Sequence, residues 1–308
     1  MKIAVLGSGA MGCLYGGMLA EAGADVTLVD LWKEHIDAVN AGGLTIDEAS
    51  GSRTVKNIRG TTDPADVGEV DLVVVFVKAT ATEQAMRDAL SLIGPRTSVL
   101  TLQNGLGNVE KLCNVIDSRQ VVAGTTGHGS TLIGPGHIRH AGTGDTVIGE
   151  LDGGRSDRIE TIASFFEKAG IITKVSSNVM GLIWTKLIVN IGINALTALT
   201  GLKNGRLLEF RETDELLVRA VEEACAVARK KGIRFEVEDP VEHTRHIARK
   251  TADNRSSMLQ DVTAGRPTEV SVINGAVVEE GKKLDIATPV NTVLTNLLLV
   301  RQKTYGEI

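Results

Sequence analysis

The first dozen residues constrain this chain most. Residues 3–6, Ile-Ala-Val-Leu, form a continuous apolar run, and Gly7-Ser8-Gly9-Ala10-Met11-Gly12 follows at once. A buried strand running into Gly-x-Gly-x-x-Gly and then a helical pattern over 11–22 reads as the start of a βαβ unit. Each glycine answers a steric demand. Gly7 permits the tight turn, Gly9 lets the backbone approach a pyrophosphate, and Gly12 lets the helix pack close to the strand. The helix N-terminus then offers N–H groups and the positive end of its dipole to the phosphates, with Ser8, Ala10 and Met11 completing the loop. An ordinary Gly-rich turn of a parallel sheet is the plainer reading, and the second strand argues against it. That run, 26–29, ends in Asp30, 18 residues past Gly12. A carboxylate there accepts hydrogen bonds from the adenosine ribose hydroxyls and repels a 2′-phosphate. With no arginine nearby and Lys33 the one cation able to compensate, NADH is the favoured cofactor.

Further apolar runs at 72–77, 99–102 and 121–123 alternate with helical segments such as 82–93. Continuous, β-branched runs bounded by Gly, Asp or Pro predict parallel strands covered on both faces, and so a doubly wound α/β sheet. A Gly-rich stretch over 131–149 carries short strand-like pieces at 137–140 and 146–148. A helix at 157–169 and a strand at 171–175 complete this half. From about residue 178 the period becomes helical, with helices expected at 179–200, 213–231, 240–263, 269–282 and 290–304. The expected division is a dinucleotide-binding domain over 1–177 and an all-α substrate and catalytic domain over 178–308.

Composition removes several function classes. Aromatic residues make up 3% and the net charge is −5, so neither a base-stacking surface nor a basic field for nucleic acid is expected. Cys13, Cys113 and Cys225 lie far apart, in no metal-ligand spacing and no even disulfide framework, which favours a reducing, cytoplasmic setting. No metal site is expected. No targeting segment is read at the N-terminus. The most apolar stretch, 182–199, is interrupted by Lys186, Asn190 and Asn194, which points to a buried helix and not a membrane span.

Ligands of such sheets bind at the carboxyl ends of strands. Lys78 follows the run at 72–77, and Gln103-Asn104-Gly105 follows the run at 99–102. A solvated lysine and a plain Asn-Gly turn are the alternatives. His128 and Gly129 follow the strand at 121–123, where a lone histidine is more often structural than catalytic. In the helical half, Lys186, Asn190 and Asn194 stand at i, i+4 and i+8, one narrow stripe on a helix otherwise apolar nearly all round. A buried polar stripe needs partners, and a ligand cleft would supply them. Asn254, Ser257 and Asp261 fall on one face of the helix expected at 240–263. Glu269 begins the next helix after Pro267 and a Thr268 cap, where dipole stabilisation competes with catalysis.

These residues together resemble the ketopantoate reductase (2-dehydropantoate 2-reductase) family. The resemblance rests on Gly7-x-Gly9-x-x-Gly12, Lys78, Gln103-Asn104-Gly105, Trp184-x-Lys186-x-x-x-Asn190-x-x-x-Asn194 and Asn204-Gly205. It extends to Asn254-x-x-Ser257-Met258-Leu259-Gln260-Asp261 and Thr268-Glu269-Val270…Ile273-Asn274-Gly275. It covers nearly the whole chain. It implies a Rossmann-type domain, a helical domain, and NAD(P)H-dependent reduction of ketopantoate to pantoate on the way to pantothenate and coenzyme A. By this likeness Lys186 is the proton donor, Glu269 contacts the hydroxyl and the lysine, and Asn190, Asn194, Asn204, Asn254 and Ser257 bind substrate. Lys78 and Asn104 would serve cofactor and substrate. NADPH is the family-typical cofactor, and Asp30 departs from that pattern. The alternative is an NAD-dependent D-2-hydroxyacid dehydrogenase acting on another branched 2-keto acid. A 3-hydroxyacid dehydrogenase relative and a dinucleotide sensor without turnover fit less well, because the 257–261 run, Lys186 and Glu269 are all present. The expected partner is a small 2-keto acid, and a homodimer is compatible with the reading.

Overall fold

A computed structural model describes residues 1–306. They divide into two compact units, one of residues 1–103 with 108–179, the other of 104–107 with the chain from Met180 onward.

The first unit runs β1 (Lys2–Leu6), α1 (Ala10–Glu21), β2 (Asp25–Val29), α2 (Lys33–Gly42), β3 (Leu44–Glu48), β4 (Gly51–Val55) and β5 (Ile58–Thr61). It continues with β6 (Leu72–Val75), α3 (Thr82–Asp88), β7 (Ser98–Thr101), α4 (Asn108–Cys113), β8 (Val121–Thr126) and β9 (Gly129–Gly134). The last elements are β10 (His137–Gly142), β11 (Thr146–Glu150), α5 (Asp157–Lys168) and β12 (Thr173–Val175). Eight strands form one sheet in the order β12-β11-β8-β7-β6-β1-β2-β5. The pairs around β1 are parallel, in register Ile3 to Val26 on one side and Ile3 to Leu72 on the other. The strand residues of β6 and β7 are buried throughout, which is why their sequences read as unbroken apolar runs. The chain leaves β1 toward β2 and later returns to β6 on the other side, so the loop after β1 lies at the switch point of the strand order. The sheet is mixed and not wholly parallel, because β11 pairs antiparallel with β8. The run expected at 72–77 is a strand only to Val75.

The strand-like piece expected at 137–140 is β10, but it belongs to a second, four-stranded sheet, in the order β4-β3-β10-β9, that was not expected. Its buried faces carry Leu44, Ile46, Val55 and Ile138. Helix α1 lies between the two sheets, and adjacent glycines make this possible. A Cβ on Gly16 would meet the Leu28 side chain of the large sheet at 2.6 Å, and one on Gly17 would meet Ile46 of the small sheet at 2.8 Å.

The second unit is helical: α6 (Val179–Thr200), α7 (Arg211–Lys230), α8 (Pro240–Lys250), α9 (Ser257–Thr263), α10 (Asn274–Lys283) and α11 (Pro289–Lys303). Its core holds Trp184, Leu187, Ile188, Ile191, Leu217, Val221, Val277 and Leu298. Helix α6 is long and apolar enough to cross a membrane, but most of that stretch is buried within the protein. Gly192 sets its packing, since a Cβ there would meet Thr244 of α8 at 2.8 Å and Val221 of α7 at 3.0 Å. The helix expected over 240–263 is instead two. Asp239 caps α8, accepting from the Glu242 N–H at 2.9 Å, and Ser256 caps α9, accepting from the Leu259 N–H at 3.0 Å.

Candidate active site

Two groups of candidate residues stand in the two units. In the first unit the glycine loop has the geometry its sequence asks for. Gly7 has φ +95°, and a Cβ on it would lie 2.5 Å from the Val77 nitrogen. A Cβ on Gly12 would lie 1.9 Å from the Gly7 carbonyl oxygen. Gly9 is exposed, with nothing within 4 Å of where its Cβ would be. It caps α1 without a side-chain hydrogen bond, and the first turn of α1 holds no acidic residue. Ser8, Ala10 and Met11 complete the turn, and the Ser8 hydroxyl is buried with no partner among the described residues. The helix end therefore keeps its N–H groups and positive dipole end for an anion from outside the chain.

Asp30 closes the loop from β2. Its Oδ2 accepts the Ser8 N–H at 2.6 Å and its Oδ1 the Trp32 N–H at 3.0 Å. Beside it Leu31 is 89% exposed, and the exposed Trp32 ring stacks on His35. Lys33 does not turn toward Asp30: its Nζ pairs with Asp37 at 2.6 Å, one helical turn along α2. Lys78 is exposed in the turn before α3, its carbonyl accepting from the Ala81 N–H. Gly129 opens β9, paired with Gly142 in the small sheet.

The second group is built on α6. Lys186, Asn190 and Asn194 lie within 80° of one another around the helix axis, and Gly192 is on the opposite side. The stripe therefore faces away from α7 and α8. Lys186 and Asn190 are half-buried and Asn194 is buried. Burial pushes the Lys186 ammonium down to about 8, against the pull of the Glu269 carboxylate. Glu269 also accepts from Asn104 Nδ2 at 3.4 Å. Asn104 is here because its loop leaves the large sheet: the Leu106 N–H donates to the Val272 carbonyl at 3.0 Å, and Gly105 takes φ +81° against Val272. One stretch of 104–107 thus delivers an amide to the lysine–carboxylate pair.

Thr197 extends the stripe by one turn, a continuation the sequence reading missed. Its hydroxyl bonds that of Ser256 at 2.7 Å, which brings the start of α9 to this face of α6. The signal was available: Thr197 is eleven residues past Lys186, three turns along the same face. Asn204 is buried. Its Nδ2 donates to Thr251 at 3.0 Å, its backbone N–H donates to the Asn254 carbonyl at 3.1 Å, and its Oδ1 has no partner among the described residues.

Two local expectations need correction. Asn254 lies in the exposed link between α8 and α9, so it shares no helical face with Ser257 and Asp261, and Asp261 binds Arg266 at 3.0 Å. Ser257 opens α9 as an exposed residue. Glu269 does not begin a long helix: a three-residue 3₁₀ turn, Val270–Val272, follows it, and α10 starts only at Asn274. So short a turn has almost no macrodipole, which weakens the dipole explanation for this carboxylate.

A glycine loop at a sheet switch point, an acid just past the second strand, and a lysine on a polar helical stripe under the influence of the Glu269 carboxylate fit a class, the NAD(P)-dependent oxidoreductases acting on CH–OH groups. More narrowly, the chain belongs to the ketopantoate reductase family. Residues 3–153 match the family model Ketopantoate reductase PanE/ApbA, and residues 178–302 match Ketopantoate reductase PanE/ApbA C terminal. The 2-dehydropantoate 2-reductase of Halobacterium salinarum is 41% identical over 303 residues, 98% of this chain and 99% of the relative. That of Pyrococcus horikoshii is 35% identical over 306 residues, 99% of each. Among solved structures, a PanE/ApbA family ketopantoate reductase from Ralstonia eutropha superposes with a TM-score of 0.91 at 35% identity, covering 99% of both chains. A D-mandelate dehydrogenase in ternary complex with NADH and anilino(oxo)acetate gives a TM-score of 0.91 at 29% identity, again over 99% of both.

Proposed function

We propose that this chain reduces 2-dehydropantoate to pantoate, with NADH as the favoured dinucleotide and Lys186 as the proton donor. The reading is carried by Lys186 itself, a lysine with its pKa drawn down to about 8 beside a carboxylate. A group poised near neutral pH both holds a proton and gives it up. When bound, the reduced nicotinamide supplies a hydride to the keto carbon. The Lys186 ammonium stabilises the negative charge that gathers on the keto oxygen and passes its proton there. Glu269 holds the ammonium in place, and Asn104 steadies Glu269. Asn190, Asn194, Asn204, Asn254 and Ser257 supply donors and acceptors for the substrate's carboxylate and hydroxyl.

The first unit offers groups suited to the cofactor. Gly7 to Gly12 would hold its pyrophosphate, Asp30 its ribose, and Lys78 and Gly129 flank the site in this reading. Preference for NADH is supported by Asp30 and by Lys33 being turned onto Asp37. A second reading, an NAD-dependent D-2-hydroxyacid dehydrogenase for another branched 2-keto acid, is favoured by Asp30 and by the likeness to an NADH-bound D-mandelate dehydrogenase. A role in pantothenate and coenzyme A synthesis and a cytoplasmic location belong to the proposal.

Initial rates with NADH and NADPH against ketopantoate, 2-ketoisovalerate and 2-ketoisocaproate test it. Ketopantoate is expected to give the highest kcat/KM, with NADH ahead of NADPH. A higher value for another keto acid moves the assignment to the second reading. Asp30→Ala is expected to lower the NADH-to-NADPH ratio by about one to two decades, the scale of removing a screened charge–charge repulsion.

A further inference from the structure

Beneath the glycine loop, groups from several segments of the first unit join in one line. His35 of α2 is completely buried, an expensive place for an imidazole unless both nitrogens are satisfied. They are. Nδ1 accepts the Gly136 N–H at 3.1 Å, which leaves the ring proton on Nε2, and Nε2 stands 3.2 Å from Cys13 Sγ. Burial holds this imidazole below its usual range, so it stays neutral. The Cys13 thiol, pushed far up by burial, keeps its proton and donates it to the Ser8 carbonyl at 3.0 Å. The Ser8 N–H in turn donates to Asp30 Oδ2 at 2.6 Å. A peptide carbonyl and the following N–H point in opposite directions across a trans bond. With the Ser8 carbonyl held toward the core by Cys13, the Gly9 N–H is sent the other way, at a residue that is itself exposed.

We infer that His35 and Cys13 are positioning residues for the dinucleotide: the His35–Cys13 pair fixes the Ser8 peptide, and through it both the Gly9 N–H and the Asp30 carboxylate. The inference rests on reading this loop as the dinucleotide site. Both residues are completely buried, so neither would touch the cofactor. Their effect is on how much of the site is already in its binding arrangement before the cofactor arrives, since groups that must be reordered on binding cost affinity.

The test uses the full chain and titrates NADH by fluorescence for wild type, Cys13→Ala, Cys13→Ser and His35→Gln, with melting temperatures and saturated kcat alongside. Cys13→Ala removes the donor to Ser8 and is expected to weaken NADH binding about tenfold, the scale of one lost hydrogen bond to a buried acceptor. The kcat at saturating NADH should hold. Cys13→Ser keeps an O–H donor and should recover most of the affinity, and His35→Gln, which keeps an N–H near Nε2, should lie between. A purely structural pair would lower melting temperature without splitting KM from kcat. The inference is overturned if Cys13→Ala binds NADH as wild type does, or if Cys13→Ser is as weak as Cys13→Ala. A wild-type chain that binds neither NADH nor NADPH overturns the reading of the loop instead.

Discussion

At the end of β1 the chain works with its backbone. Gly7 and Gly12 stand where a Cβ would clash with backbone, Gly9 where one would meet nothing, and in the proposed function the groups offered to the dinucleotide would be peptide N–H donors. On α6 the opposite holds. The backbone there is spent on the helix, and in the proposed function Lys186, Asn190 and Asn194 would act through side chains brought into line by the helical repeat. The first region suits a ligand whose pyrophosphate is the same whatever reaction follows. The second suits a ligand that must be told apart from near relatives and given a proton at one atom. A substitution should therefore do different damage in the two places: affinity for the dinucleotide in one, the chemical step in the other.

The sharpest way to break that contrast is Lys186→Ala. If Lys186 donates the proton as proposed, its loss should lower kcat by ~10²–10⁴-fold while the NADH dissociation constant hardly changes. The same proton sets the pH dependence. With the lysine drawn down to about 8, kcat/KM for reduction should fall as pH rises through that value, and the basic limb should vanish in the variant. Near-normal turnover in Lys186→Ala, or equal losses of NADH affinity and kcat, would remove the division of labour.

The glycines sharpen it from the other side, and they do so as a pair. A methyl on Gly12 would run into the Gly7 carbonyl, so Gly12→Ala should cost about 1–3 kcal/mol of stability as well as NADH affinity. A methyl on Gly9 meets nothing, and the residue has φ −64°, which alanine adopts freely. Gly9→Ala should melt at or slightly above the wild-type temperature, by about 0.4–1 kcal/mol, yet bind NADH at least ~10-fold more weakly. Thermal melting with and without NADH separates the two. If Gly9→Ala loses stability, the open space beside Gly9 is not what the glycine is for.

The contrast also explains what was legible in the sequence. Backbone demands leave a compact signature, because three glycines and an acid at fixed spacing have few other uses, and the centre of the large sheet could be read from its unbroken apolar strands, while its edge strand β5, Ile-Arg-Gly-Thr, gave no such run. The α6 stripe was legible because a charged group and two amides interrupt an apolar helix at a single period. The small sheet was not: β3 and β4 mix Thr, Asp, Ser and Arg with few apolar residues, and their buried side comes from packing on α1. The break between α8 and α9 was hidden because no proline marks it, and its stop is Ser256 capping a new helix. Asn254 was misplaced for that reason. The position of Asn104 next to Glu269 is a tertiary fact, set by a loop docking on Val272, and no spacing announces it. The His35–Cys13 pair was equally silent, since two buried residues 22 positions apart form no motif.

The smallest expected effect concerns stability, and it follows from the burial that tunes Lys186. A lysine whose pKa is about 8 when folded and 10.5 when unfolded binds its proton less well in the folded protein. Between those two values the unfolded chain holds more protons, so stability rises with pH across that window. Below about pH 8 both forms are charged, and the folded protein bears the full cost of burying the ammonium. Lys186→Met, which keeps most of the volume and removes the charge, should thus stabilise the protein at pH 7. The expected gain is about 2–4 kcal/mol, since a fall from 10.5 to about 8 is worth about 1.4 kcal/mol per pH unit. The gain should shrink as pH rises from 8 and be gone by about 10.5. Denaturant titrations of both proteins at pH 7, 9 and 10.5 measure it. A gain that does not change with pH would mean that methionine simply packs better, and that the ammonium bears no burial cost to be used in catalysis. A loss of stability at pH 7 would mean that Glu269 and its neighbours more than compensate for burial, making the lysine a structural ion pair and removing the main support for its role as proton donor.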